Sequence, residues 1–299
     1  MKPIQTTNIG LNHLSKNRRN SPARWLVASL LAFGLSQQAA YAEPAPIPSN
    51  TPHGLFGFMD DSTVIAQGVF NPVYTFLPSW STGTQTWNQK LTFNYGVTDR
   101  FEAGLAISYA PTIDTGNIGN SRLINLSLPL QYVFVQRMQN GTGFAILSTP
   151  TIGWEDFNNQ ASNRQWSFDN HFALDHDFDG RFFAGINLGY TASNSYSRGV
   201  QAPSGTLYLL GGGTVKVTSN FYWGLQFQIS QQYNNFISDP SGWAAFLGTS
   251  ISLPLSPYVT FSAAFMRQLA GRENGNPSAR LNTQNFSQNI GRAALSFNF

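Results

Sequence analysis

Asp169 and His171 lie two residues apart, the spacing that puts a carboxylate and an imidazole on one face of an extended strand. That is the arrangement of a general base and the group that orients it, so acid–base or nucleophilic chemistry is the first reading to weigh. A hydrolase would also need a hydroxyl nucleophile held by the imidazole, and histidine is scarce: beyond residue 42 only His53, His171 and His176 remain. Asp175, His176, Asp177 and Asp179 form the one acidic cluster that contains a histidine. Consecutive strand residues point to opposite faces, so these four read as a solvated turn and no metal site is expected. Gly211-Gly212-Gly213 lacks the Lys-Ser/Thr and the helix of a phosphate loop, and reads as a bend or a place where a bulky interior group crosses the wall. With no cysteine in the chain, disulfides, thiol chemistry and a lipoprotein anchor are excluded. No cofactor is expected.

What could position such residues depends first on where the chain goes. Lys2, Lys16, Arg18, Arg19 and Arg24 precede an apolar run from Trp25 to Leu35, and Ala40-Tyr41-Ala42 offers small residues for cleavage. Residues 1–42 therefore read as an export signal. They carry five of the 17 Lys+Arg and none of the 14 Asp+Glu, so the remainder holds 12 basic against 14 acidic side chains, a balance of −2. The Lys and Arg form no stripe, and nucleic-acid binding is excluded. Charged residues are only 10% of the chain and aromatics 14%, against about 25% charged in soluble domains. Apolar runs such as Trp243 to Leu247 are far too short for a membrane helix. Little charge, many aromatics and no long apolar run describe a membrane protein built from strands, because only a closed barrel satisfies every backbone group without helices.

Alternation supplies the strands. Phe101, Ala103, Leu105, Ile107 and Tyr109 oppose Glu102, Gly104, Ala106 and Ser108; Phe221, Trp223, Leu225, Phe227 and Ile229 oppose Tyr222, Gly224, Gln226, Gln228 and Ser230. The same period runs through Ile124 to Phe134 and Phe182 to Tyr190. Twelve strand candidates follow Ser62, or ten if the weak first pair, Thr63 to Val97, is not counted. Short turns at 98–100, 136–141, 177–180, 218–220 and 254–257 alternate with longer Gly/Asn/Ser-rich stretches at 77–83, 111–121, 155–164, 193–204, 232–241 and 271–281. Tight periplasmic turns and longer external loops have this asymmetry. Trp80, Trp87, Trp154, Trp166 and Trp243 fall at the long-loop ends, while Phe101, Phe182, Phe221 and Tyr258 follow short turns, forming two interfacial rows. Leu295, Phe297 and Phe299 end the chain as an alternating strand with a terminal aromatic, the closing and assembly signal of an outer-membrane barrel.

The fold expected is thus all-β: an antiparallel transmembrane barrel of about 12 strands over residues 62–299, after a periplasmic leader or plug at 43–61. It belongs in the outer membrane of a Gram-negative bacterium with both termini periplasmic. Membrane lipid and the barrel-assembly machinery are its expected partners. Twelve strands leave a narrow or partly plugged lumen. Lys90, Asp169, His171, Arg181, Lys216 and Arg292 are placed inward, with Asp169 and Arg181 as a constriction; Tyr208, Tyr222, Phe246 and Tyr258 are inward rings on which an apolar or aromatic solute could rest. Passive passage of small uncharged or aromatic solutes is the function expected. A structural or adhesive barrel with a closed lumen is the rival. A barrel hydrolase ranks lower: Ala173 breaks the His-x-Ser spacing of barrel phospholipases, Asp175 and His176 abut a periplasmic turn, and Glu155, Asp156 and Glu273 in the external loops lack a histidine.

The hairpin from Leu91 to Tyr109 reads LTFNYGVTDRFEAGLAISY. Through Tyr95, Gly96, Thr98, Asp99, Glu102 and Gly104 it resembles the outer-membrane barrels described as transporters or as the MetA pathway of phenol degradation. The resemblance implies passage of small, often aromatic or apolar, compounds. The residues themselves suit folding: Thr98 and Asp99 a tight turn, Gly96 and Gly104 close strand approach, and Glu102 a rim pair with Arg100.

Overall fold

The computed structural model describes residues 55–81, 83–114, 121–137, 141–157, 161–197, 200–274 and 280–299. The export signal, the first part of the leader and His53 lie outside these residues, as do the middles of several connections. Thirteen strand segments form one antiparallel sheet: β1 (Phe70–Ser81), β2 (Thr84–Thr98), β3 (Phe101–Asp114), β4 (Ser121–Ser127), β5 (Leu130–Val135), β6 (Thr142–Phe157), β7 (Ala161–Phe178), β8 (Phe182–Ser197), β9 (Val200–Thr218), β10 (Phe221–Asn235), β11 (Ser238–Ser256), β12 (Val259–Glu273) and β13 (Asn289–Phe297). β4 and β5 are halves of a single stave. Pro129 has no N–H to give the ladder, yet the register passes through unshifted: Ser127 pairs with Thr151 and Leu130 with Ser148. Gly104 N–H donates to the Pro129 carbonyl at 2.8 Å and Leu128 N–H to the Pro150 carbonyl at 3.0 Å. Twelve staves result, and the pairing of β1 with β13 closes the ring.

That closure reaches the last residue. Phe299 N–H donates to the Phe70 carbonyl at 2.9 Å and Phe70 N–H to the Phe299 carbonyl at 3.1 Å. The Asn71 amide adds bonds to Ser296, Phe297 and Asn298 at 2.7–2.8 Å. Phe299 thus sits at the end where the short turns lie, its ring stacked near Phe297 with centroids 6.5 Å apart.

The period of two sorts the side chains by size and polarity. Leu105, Ile107, Leu126, Phe172, Leu188, Leu225, Phe227 and Leu247 are exposed on the outer face, while Ala106, Ser108, Asn187, Gln226 and Ser250 are buried within. Exposed Trp80, Trp87, Trp154, Trp166 and Trp243 ring one end, and Phe70, Tyr95, Phe178, Phe182 and Phe299 ring the other.

Two expectations are corrected and a third is refined. The first strand starts at Phe70 rather than at residue 62, because Ser62 to Ile65 are bonded to the inward side chains of Asp175, Gln131 and Glu102 and residues 66–69 turn outward against Gly96. The stretches at 77–83, 193–204 and 232–241 are largely strand: β10 ends at Asn235 and β11 starts at Ser238, across a hairpin with Phe236 at φ 45°. Their polar composition reports contact with water beyond the Trp row, not loss of the ladder. In the Gly211–Gly213 run the bulky neighbours are on both faces: outward Phe227 and Phe182 cover Gly211 and Gly213, and interior Gln226 lies against Gly212.

Candidate functional site

The lumen is divided lengthwise. On one side Leu55, Phe56 and Met59, from the segment preceding β1, pack against inward Phe183, Leu210, Tyr222, Ala244, Phe246 and Met266 of β8 to β12. From the opposite end the β12–β13 connection folds in: Asn282 is fully buried and the Phe286 ring meets Phe246 edge-on with centroids 6.2 Å apart. This half of the barrel has an apolar core of its own.

The entering segment is held by side chains from many staves. Gln226 Oε1 accepts from Phe58 N–H at 3.0 Å, and Thr214 Oγ1 donates to the Leu55 carbonyl at 3.2 Å. Asp175 accepts from Ser62 N–H at 2.8 Å and Ser62 Oγ at 2.6 Å, and from Arg137 Nη1 at 2.9 Å. Glu102 accepts from Ile65 N–H at 2.9 Å, and the Gln131 amide donates to the Asp61 and Thr63 carbonyls, each at 3.0 Å. Arg292 donates to the Gly57 carbonyl. Glycines thin both sides of the contact between segment and wall. Gly57, at φ +66°, lies against Gln226, Ser250 and Ala264, and a side chain at Gly96 would strike the Ala66 and Ile65 carbonyls.

Between this plug and β1 to β3, β6, β7, β12 and β13 lies a cavity of about 390 Å³. Most of its lining residues are polar, including Asn71, Thr75, Thr92, Asn94, Thr149, Thr151 and Ser262, with Lys90, Asp169, His171 and Arg292 among them and Asp60 reaching in from the plug. His171 Nε2 lies 3.0 Å from Asp60 and Nδ1 3.2 Å from Asp169. An imidazole facing carboxylates through both nitrogens can donate to both only as the imidazolium. Tyr208 and Thr191 hydroxyls donate to Asp169 and fix its orientation. Enclosure disfavours the charged form of Asp60. His171 first, then Arg292 and Lys90, more than offset that and hold its pKa below the ordinary carboxylate value.

Asp169, His171, Lys90 and Arg292 thus converge on one cavity, as inward strand positions require. Lys216 also faces in, but its ammonium sits 5.8 Å from the Tyr222 ring outside the cavity lining. Arg181 is misplaced by the sequence reading: it lies in the exposed β7–β8 turn, far along the strand from Asp169, which pairs with Thr191. No Asp169–Arg181 constriction forms. Tyr258 is likewise exposed in the β11–β12 turn, and Tyr222 and Phe246 are buried against the plug, so of the four rings only Tyr208 reaches the His171 network. Alternation gives a face but not a strand's end, so it cannot tell these two turn residues from inward strand positions.

The family-like hairpin has a further use. Glu102 points in and accepts from the plug backbone at Ile65, and Gly96 exchanges backbone hydrogen bonds with Gly68 and Val69 at 2.8 and 3.1 Å. Gly104 meets Asn94 and Pro129, Thr98 Oγ1 accepts from Arg100 N–H at 3.2 Å, and the Asp99 carbonyl accepts from Gln136. Tyr95 is exposed outside. The acidic cluster splits as alternation demands. Asp175 is buried on Arg137 and Ser62, His176 Nδ1 meets Thr142 Oγ1 at 2.7 Å, and Asp177 caps Gly180 N–H at 2.7 Å. No group of metal-binding side chains exists among the described residues. Sequence reasoning missed Asp60 and Arg137, whose roles come from a segment and a turn that carry no strand period.

The fold is similar to the translocator domain of autotransporter NalP from Neisseria meningitidis, with 10% identity and a TM-score of 0.55 over 79% of this chain and 90% of that one. It is also similar to the COG4313 outer membrane channel from Pseudomonas putida F1, with 11% identity and a TM-score of 0.53 over 80% and 98%. The beta domain of the Bordetella autotransporter BrkA matches at 14% identity and a TM-score of 0.50 over 79% and 100%. Identities this low establish a shared outer-membrane barrel fold. No curated protein matches the sequence. Over residues 53–299 the sequence fits the family of unknown function DUF6662, rather than the phenol-degradation barrels its hairpin resembles, and the chain belongs to that family.

Proposed function

We propose that the protein is an outer-membrane channel that passes small polar solutes passively through the half of the lumen beside the plug. The observation that carries this reading is the asymmetry of the interior. One side is filled by side chains, while the other keeps a cavity of about 390 Å³ lined mostly by polar residues, with charges of both signs. The outward apolar face between two aromatic rows fits a bilayer, and the export signal and terminal Phe299 fit delivery to the outer membrane by the barrel-assembly machinery. Both termini then lie on the periplasmic side with the short turns. Aromatic solutes lose their proposed resting place, because Tyr222 and Phe246 are taken up by the plug. A hydrolase is disfavoured as well. His171 is occupied by carboxylates at both nitrogens rather than by a serine. Reconstituted protein should give stable single-channel currents in planar bilayers, and liposomes carrying it should swell in glycerol faster than in a disaccharide. Silent bilayers together with unswollen liposomes would instead mark a structural barrel with a closed lumen.

A further inference from the structure

Charges of both signs line the cavity, and the acidic ones have separate places: Glu102 accepts from Ile65 N–H, Asp169 from Thr191 and Tyr208, and Asp61 lies beside Asp60 in the plug. Lys90 comes from β2, His171 from β7 and Arg292 from β13, three different parts of the wall, and all line the same space. The group they surround is Asp60, which belongs to the plug and not to the wall. Its carboxylate contacts His171 at 3.0 Å, yet 58% of the side chain stays open to the cavity. Two of the three cations have their own supports: Arg292 donates to the Gly57 carbonyl, and His171 leans on Asp169 at 3.2 Å. The Lys90 ammonium lines the cavity within reach of the charges of Asp60 and Asp169 but forms no ion pair with either, and His171 Nε2 is buried with no hydrogen bond of good geometry although it faces Asp60. An imidazole nitrogen that faces its carboxylate without a well-formed hydrogen bond, an ammonium held by charge alone and a carboxylate that is only half engaged are unusual together in one cavity. They make sense where an anion of the same chemistry as the Asp60 side chain can bind.

We propose that Lys90, His171 and Arg292 form a binding site for a small carboxylate solute, in which the carboxylate of Asp60 occupies the place of the solute. This deepens the channel reading and rests on it for the site's purpose. Charge-assisted hydrogen bonds to a carboxylate are the strong ones a lysine and an imidazolium can offer. An incoming carboxylate would satisfy the free Lys90 donors and compete with Asp60 for His171. The plug backbone would stay anchored through Gln226, Asp175 and Glu102, so exchange at the site requires only a rotation of the Asp60 side chain. The mixed wall of threonine and asparagine supplies neutral donors and acceptors for the rest of such a solute.

The test uses the full mature chain in two measurements. In planar bilayers, reversal potentials in sodium acetate gradients should show acetate permeating ahead of sodium. Asp60→Asn, close in shape to aspartate, should raise that preference several-fold, and Lys90→Met should bring the permeability ratio back toward one. In detergent, acetate should bind saturably by titration calorimetry, tighter in Asp60→Asn than in the parent and weakly or not at all in Lys90→Met. Heat-modifiable gel migration confirms that each variant is a folded barrel. A folded, conducting Asp60→Asn barrel with unchanged selectivity and unchanged acetate binding overturns the site while leaving the channel standing. Absent currents with acetate binding that still follows Asp60 and Lys90 overturn the channel and keep the site.

Discussion

Arg137 and Asp175 show how much of the plug's retention rests on single side chains. Their contact at 2.9 Å is almost fully buried, and Asp175 also takes both the N–H and the hydroxyl of Ser62. Removing one member of a buried pair leaves the other charge without compensation, which typically costs about 3–5 kcal/mol. Asp175→Ala should therefore loosen residues 55–65 and lower the thermal unfolding midpoint of the barrel, with protease cleavage near Ser62 appearing before the wall itself is lost. An uncleaved segment and an unchanged midpoint would show that the pair holds nothing. The period that puts Asp169 and His171 on the inward face puts Asp175 there as well, and grouping it with His176, Asp177 and Asp179 as one solvated turn hides this, since Asp175 and His176 share no face.

The plug is the element the sequence described least, because it has neither strand alternation nor a helical period; its order comes from partners more than 100 residues away, such as Asp175 and Gln226. By contrast the wall was readable, since lipid outside and water inside impose a period of two that Leu105, Ile107, Leu225 and Phe227 display directly. The hairpin of β2 and β3 joins the two. Its Gly96 lies under the chain as it leaves the lumen, where an added Cβ would strike the Ala66 and Ile65 carbonyls. Gly96→Val should displace the plug's exit while preserving the ladder, giving a barrel of normal far-ultraviolet circular dichroism with larger and noisier conductance. Quiet currents of parental size from that variant would mean the exit can be rerouted at little cost.

For the molecule as a whole, the ladder that closes the barrel extends to Phe299. Phe299 exchanges two backbone hydrogen bonds with Phe70, so deleting it removes the final rung between the first and last staves as well as the terminal aromatic. The truncated chain should accumulate unassembled in the periplasm, and any protein that does insert should conduct like the parent; normal insertion levels would refute the role in assembly. The seam has a second property. In the β1–β13 ladder the pairing runs from Val73–Ser296 to Phe76–Ala293 and resumes at Ser79–Ile290, with Pro78 in the interval, and the cavity lies behind it. The staves from β8 to β12 are instead backed by Phe56, Phe246 and Met266. Mechanically, the cylinder is braced on one flank and hollow on the other, and its compliant flank is the one that carries the joint. Bilayer pressure on such a tube should be borne unevenly, with the cavity-backed joint yielding before the braced flank.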